Sequence, residues 1–508
     1  MSFSILGKIR ESEEERPEFY DDLNLTQWIE EINGQLGIYD LREYFRQMPD
    51  GREQIRFRQE VLQEIDEEME IKLTEFVNRI RRAQENEAYI NSETGEQITD
   101  ELSKAHWKLE VAVMYFTAVD ELIAFLEERE CRARGWQQFL EMCKEESGKP
   151  EVRAYHDAAL STSEELEKIR YSLRIEGDHV AILPSVVEDD YVKELCEKYP
   201  QMIKHPGKMG NLLPGGKAGT PLEQRIFKYL RKKFSQQFKR LEEFGKQEAR
   251  IYQPGIMQFH KEICVYLSIL KFQHHMEYFH YDFCMPEFSD AAFEVTGGYD
   301  LALALKNQKE GKETVANDYY YRGKERFFVI TGPNQGGKTT FARAAGEQLV
   351  YFSLMGFPVP AKRAVLPLFD GLLTHFSVEE SMQSGRGKLK EELVRLSGMM
   401  HAEKHNVFVI INELFTSAAT YDAYHMGRRV IDHFLDRDCY GIYVTHIEEL
   451  AQENEQIVSQ VASLIEGNVK VRTFKIRRKK AEGKGYVEPI VEKYGLTYEE
   501  IKRRIHHV

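Results

Sequence analysis

Ten residues in the C-terminal half of the chain, TGPNQGGKTT at 331–340, have the make-up of a phosphate cradle. Gly332, Gly337, Lys338 and Thr339 fit the pattern G-x-x-x-x-G-K-[ST]. Glycines let successive backbone N–H groups turn inward around phosphate oxygens, and the helix that follows offers its N-terminus to the anion. In that arrangement Lys338 reaches the outer phosphates of ATP and the Thr339 hydroxyl ligates Mg²⁺. Gly332, Pro333, Asn334, Gln335, Gly336, Gly337, Lys338, Thr339 and Thr340 are the candidate nucleotide contacts of this loop. A second stretch, VFVIINELFTSAATYDA at 407–423, ends an apolar run in Asn412-Glu413. Glu413 is placed to orient or deprotonate an attacking water, and Asn412 stands where an acidic residue would hold Mg²⁺ through water. His446, closing YGIYVTH, is a candidate sensor of the terminal phosphate; the alternative is a capped histidine at a strand end.

These residues need a sheet to hold them. RFFVI (326–330), NVFVIIN (406–412) and YGIYVTH (440–446) are short apolar runs with helical segments between them, the alternation of a parallel α/β sheet. Before residue 285 the pattern differs. REQIRFRQEVLQEIDEEMEIKLTEFVNRIRRAQ (52–84) and LEQRIFKYLRKKFSQQFKRLEEFGKQ (222–247) carry apolar residues at helical spacing and predict long amphipathic helices. INSETGEQITDE (90–101) reads as a loop, and HPGKMGNLLPGGKAGTP (205–221) as either a solvated loop or a mobile tip that touches DNA. The tail from 470 is basic and then helical, ending in YEEIKRRI.

Composition narrows the classes. Hydrophobic residues make up 42% of 508, enough for two or three domains with sizeable cores. The net charge of -15 argues against a histone-like coating protein but leaves local basic faces free to meet nucleic acid. The six cysteines never form CxxC, which predicts neither a zinc site nor a disulfide framework and points to a reducing cytoplasm. The N-terminus turns acidic within a few residues and does not read as a signal peptide, and no apolar run is long enough to span a membrane.

Ordered blocks then resemble one family, the MutS mismatch-repair ATPases. TGPNQGGKTT is similar to their TGPNMGGKST, GFPVPA (356–361) to their VPA element, NELFTSAATYDA to their DE-x-x-x-G-T-S-T-x-D-G block, and VTHIEEL to ATH-x-x-EL. SVEESMQSGRGKLKEEL (377–393) resembles their signature region, MPEFSD (285–290) the approach to the same domain, and the tail its closing segment. The resemblance implies an α/β P-loop NTPase domain, ABC-type and MutS-like, over 285–508 with a C-terminal helical dimerisation segment. A mostly α-helical lever region would precede it over 1–284. LREYFRQMPDGREQIRFRQEVLQEI looks like part of that lever. The resemblance also implies ATP and Mg²⁺ as cofactors, a homodimer with two composite sites, and levers that open or close around DNA. Lys228, Arg231, Lys232, Lys233 and the tail Arg477 to Lys480 either meet phosphates or form solvated faces.

The departures matter as much. Asn412 replaces the family's aspartate and removes one negative charge beside Mg²⁺. After S-G-R the family has Ser-Thr, and its serine touches the partner's γ-phosphate; here Gly387 and Lys388 stand there. Ser384 and Lys388 are candidate nucleotide contacts of this segment, and Lys388 or Arg386 either acts across the dimer as an arginine finger does or lies on a solvated helix start. Phe139-Leu140-Glu141 spells a Phe-x-Glu wedge within a helical run and reads as chance. The expectation from these blocks is a chain with no mismatch-reading domain ahead of the lever helices and no Smr nuclease domain after the ATPase. The expected function is a DNA-binding ATPase working as a nucleotide-gated dimeric clamp in mismatch repair or recombination, on mismatched or branched DNA. The alternatives are a scaffold of the same fold with weak turnover and an ABC-type ATPase with a non-DNA partner.

Overall fold

The computed structural model describes residues 3–9, 19–90, 101–176, 179–184, 228–248, 250–376, 388–401, 405–465, 468–481 and 496–505. The loop 205–221, nearly all of 90–101, Ser384, Arg386, Gly387 and the tail segment 482–495 lie outside the described residues. Two compact units emerge, one of residues 1–5 and 64–263, the other of 6–63 and 264–508.

The first unit is helical. Glu67–Ile90 packs along Glu101–Arg129, which also takes Pro150–Glu167 and Ser235–Gly245 against it. The reason is periodicity: Leu102, Ala105, Leu109, Ala112, Phe116 and Val119 recur every three or four residues and are buried. Gly245 permits one of these contacts, since a Cβ there would lie 2.4 Å from that of Ala105. Tyr115 is buried and donates to Gln253 Oε1 at 2.6 Å. The stretch 52–84 is two helices, Gly51–Gln63 and Glu67–Ile90, rather than one. Asp66 breaks it by accepting the N–H of Met69 at 3.0 Å, an N-cap that outcompetes continuation. Phe139 is buried in the helix Arg134–Ser147 and stacks on Phe259 with ring centroids 3.7 Å apart, so it is core and not a wedge. A hairpin, β1 (Tyr171–Glu176) and β2 (His179–Pro184), is antiparallel with Tyr171 opposite Pro184.

The second unit holds two sheets. The smaller contains β3 (Glu287–Phe288), β4 (Phe293–Gly298), β5 (Asn317–Tyr321) and β7 (Arg363–Leu366), in the order β3-β7-β4-β5. The larger contains β6 (Phe327–Thr331), β8 (Gly371–Phe376), β9 (Val407–Asn412), β10 (Tyr440–Val444), β11 (Ile457–Ile465) and β12 (Asn468–Arg478), in the order β12-β11-β6-β10-β9-β8. Five of its strands run parallel and β12 returns antiparallel to β11. Every residue of β6 and β9 is buried, as expected of central parallel strands covered on both faces.

Residues 6–63 belong to this unit. Trp28 packs on Phe352 at 4.5 Å between ring centroids. Arg58, fully buried, donates to Leu6 O at 2.7 Å and Met355 O at 3.2 Å. Residues 41–63, which resemble lever helices, therefore lie with the sheets and not with the helices that follow them. Among the described residues no helix is long and apolar enough to cross a membrane.

Candidate functional site

The loop after β6 is shaped by three residues with positive φ: Gly332 (122°), Gln335 (59°) and Gly337 (91°). Gly337 caps the helix Lys338–Arg343, which a π-helical turn, Ala344–Tyr351, continues. Gly332 and Gly336 let the loop lie on β11: a Cβ on either would come within 3.1 Å of Ala462. Lys338 is buried, and its ammonium donates to Gly332 O at 2.9 Å and Pro333 O at 3.1 Å. The lysine thus folds over its own loop, within reach of any anion held by the same backbone. Asn334 and Gln335 are exposed, while Thr339 and Thr340 are half-buried.

β9 and β10 bring the second set of groups alongside. Thr339 Oγ1 donates to Asn412 Oδ1 at 3.0 Å. Asn412 ends β9 between Phe376 of β8 and Val444 of β10. Glu413 follows in a left-handed conformation, φ 54°, with its N–H donating to Val444 O at 2.9 Å. His446, just past β10, donates from Nε2 to Glu413 Oε1 at 3.2 Å. Both side chains are partly exposed, 46% for His446 and 32% for Glu413, so the pair is open to solvent. Lys338, Thr339, Asn412, Glu413 and His446 therefore stand together at the C-terminal ends of three adjacent parallel strands, where open α/β sheets present ligand-binding loops. A hydroxyl and an amide oxygen in contact form a donor set that suits a hard, oxygen-seeking cation such as Mg²⁺.

Lys388 opens the helix Lys388–His401; Ser384 lies outside the described residues. Arg478 is held by Glu325 at 2.5 Å and stacks on Tyr320 at 4.2 Å, a structural use of a residue from the basic tail.

Two features of the site escape the motif reading. Phe415, buried, has φ 65°, a left-handed conformation that costs a non-glycine residue about 1–2 kcal/mol. Its N–H donates to Glu392 Oε2 at 3.2 Å, and Glu392 is only 4% exposed. The signal was present: Leu389, Glu392, Leu396 and Met399 share one helix face, so Glu392 is a carboxylate in an apolar stripe. One turn on, Arg395 ties the same helix to Asp22 in the N-terminal segment, and Asp22 also accepts the Thr374 hydroxyl at 2.6 Å. Arg343, at the end of the helix Lys338–Arg343, donates to Asp22 O at 3.0 Å.

Residues 328–497 match the family model described as MutS domain V. The curated relatives it resembles include the DNA mismatch repair protein MutS of Thermotoga maritima, 28% identical over 172 residues, or 34% of this chain and 21% of that protein. The same-named protein of Thermotoga neapolitana is 29% identical over 170 residues, with the same two shares. That of Rickettsia massiliae is 29% identical over 172 residues, covering 34% of this chain and 19% of its own length. The matched region spans about a fifth of the length of these relatives.

Proposed function

We propose that this chain, whose residues 328–497 match MutS domain V, is a MutS-family DNA-binding ATPase acting as a nucleotide-gated homodimeric clamp in mismatch repair or recombination. One observation carries the proposal: Lys338, Thr339, Asn412, Glu413 and His446 converge at the ends of β6, β9 and β10. The loop 332–337 cradles the phosphates of ATP through backbone N–H groups and the helix N-terminus, and Lys338 leaves its own carbonyls for the outer phosphates. Mg²⁺, which Thr339 and Asn412 would hold, supplies charge stabilisation at the phosphates when bound. Glu413 orients the attacking water and takes its proton, and His446, already on Glu413 Oε1, holds that carboxylate and reads the terminal phosphate. The helices of residues 64–263 are the lever, the DNA is mismatched or branched, and the cytoplasm is the place of action.

A second reading is favoured by Asn412: a clamp that binds ATP and turns it over slowly or not at all, because the amide brings no charge to the metal. Turnover of the full chain, measured alone and with matched, mismatched and branched duplexes, decides between them. DNA-stimulated hydrolysis that Glu413→Ala abolishes while ATP binding persists is the expected result. ATP binding with no turnover under any condition selects the second reading. Failure to bind any duplex overturns the DNA assignment and leaves an ATPase with another partner.

A further inference from the structure

We infer that Glu392 is a positioning residue for Glu413, fixing the turn that presents the hydrolytic carboxylate; the inference rests on the reading of Glu413 given above. The turn has an anchor on each side. Before it, the Glu413 N–H is held by Val444 O at 2.9 Å, which ties the residue to β10. After it, the Phe415 N–H is held by Glu392 Oε2 at 3.2 Å. Between these anchors the chain takes two left-handed conformations, Glu413 at 54° and Phe415 at 65°, which side chains rarely adopt unless the surroundings impose them. Leu414 and Phe415 are buried, at 3% and 1% exposure, so no water reaches the Phe415 N–H in place of the carboxylate.

The chemistry of the partner matters too. A buried carboxylate among the apolar residues of this helix is costly to keep, and accepting the Phe415 N–H offsets part of that cost. Its helix is held in turn by Arg395, whose guanidinium donates to Thr374 O and Phe376 O, both at 3.3 Å, and pairs with Asp22. Glu392 thus carries the position of the helix Lys388–His401 into the placement of Glu413. An alanine there leaves the Phe415 N–H unpaired and lets the turn relax toward common backbone angles, moving the Glu413 carboxylate without touching the phosphate loop.

The test uses the full chain and reads single-turnover hydrolysis and ATP dissociation constants separately. Glu392→Ala is expected to slow hydrolysis about tenfold while the ATP constant stays within about twofold, since misplacement of a reacting group acts on the chemical step. Glu392→Gln keeps an acceptor oxygen at the same reach and restores at least half of the rate. Glu392→Asp keeps the charge but loses the reach, and behaves as the alanine variant does. In a Glu413→Ala background, Glu392→Ala adds no further loss. Undiminished hydrolysis in Glu392→Ala, an equal loss in the glutamine and alanine variants, or a parallel weakening of ATP binding overturns the inference while Glu413 stands. Wild-type hydrolysis in Glu413→Ala itself overturns the reading of Glu413 and this inference with it.

Discussion

Asn412 is the residue on which the proposed chemistry turns. Its Oδ1 already accepts the Thr339 hydroxyl at 3.0 Å, a bond that an aspartate makes equally well. The difference is one unit of charge. Two charges about 4 Å apart interact by about 4 kcal/mol at an effective dielectric near 20, and a quarter of that is roughly fivefold in affinity or rate. Asn412→Asp should therefore raise Mg²⁺ affinity or turnover several-fold, read from rate against Mg²⁺ concentration. Running the same titration in a Lys388→Ala background shows whether a cation from the signature helix already compensates. Identical curves for amide and acid in both backgrounds would make the amide a neutral replacement. Lys338 gives a sharper expectation. Its ammonium is buried and bonded to two loop carbonyls, so Lys338→Ala removes a charge-assisted contact worth about 3 kcal/mol. ATP affinity should drop roughly a hundredfold by fluorescence titration; unchanged affinity would mean that the loop does not hold phosphate.

Within β8 one side chain makes a prediction about the strand that carries it. His375 is 1% exposed; burial, reinforced by the Arg395 charge, pushes its pKa from 6.5 down to about 4. The unfolded chain then binds a proton more readily than the fold does. Stability is intact above pH 6.5 and is lost as pH falls through the interval toward about 4, by about 3 kcal/mol in full. Asp300 in the same unit runs the other way, since burial lifts its pKa from 3.8 to about 6 and acid therefore relieves it. The two partly cancel in the wild type, so the difference between variants is the quantity to follow. Denaturant unfolding should show His375→Phe gaining on the wild type by about 3 kcal/mol between neutral pH and about pH 4. A constant difference would show that His375 does not titrate in this window. How elements like β8 were legible differs by their length and setting. β6, β9 and β10 announce themselves as apolar runs that stop at Thr331, Asn412 and Val444, because both faces of a central parallel strand are covered. β12 does not: KVRTFKIRR is dense in basic residues and loses its period-two alternation at Thr473-Phe474, where Phe474 takes a left-handed φ of 57°, so in sequence it reads as a basic tail. The short strands of the smaller sheet carry too few residues to show a period. Glu392 was invisible to motif matching because its partner is a backbone N–H, and the N-terminal segment joins the sheets through contacts such as Trp28 with Phe352 that no local pattern encodes.

At the level of the entire chain the open question is how a protein of net charge -15 would hold a polyanion. Charges beyond about 10 Å are screened at about 0.1 M salt, so binding depends on basic residues that stand together at the surface. The helical stretch at 228–233 offers such a group. Leu230 is buried, which turns Lys228, Lys232 and Lys233 outward. Arg231 is partly committed, since it donates to Glu242 at 2.7 Å, and removing it would free that carboxylate and confuse the reading. The informative variant therefore changes the three lysines to glutamine and leaves Arg231 in place. If each lysine meets one phosphate, the slope of log affinity against log salt falls by about 0.9 per lysine, or about 3 in all. The loss should be the same on matched, mismatched and branched duplexes, because phosphates carry no sequence. A slope that does not change would make these lysines a solvated face. It would move the contact to Arg477, Lys479 and Lys480, the exposed members of the tail, with Arg478 excluded by its bond to Glu325. The same glutamine series on that tail would then be expected to flatten the salt dependence instead.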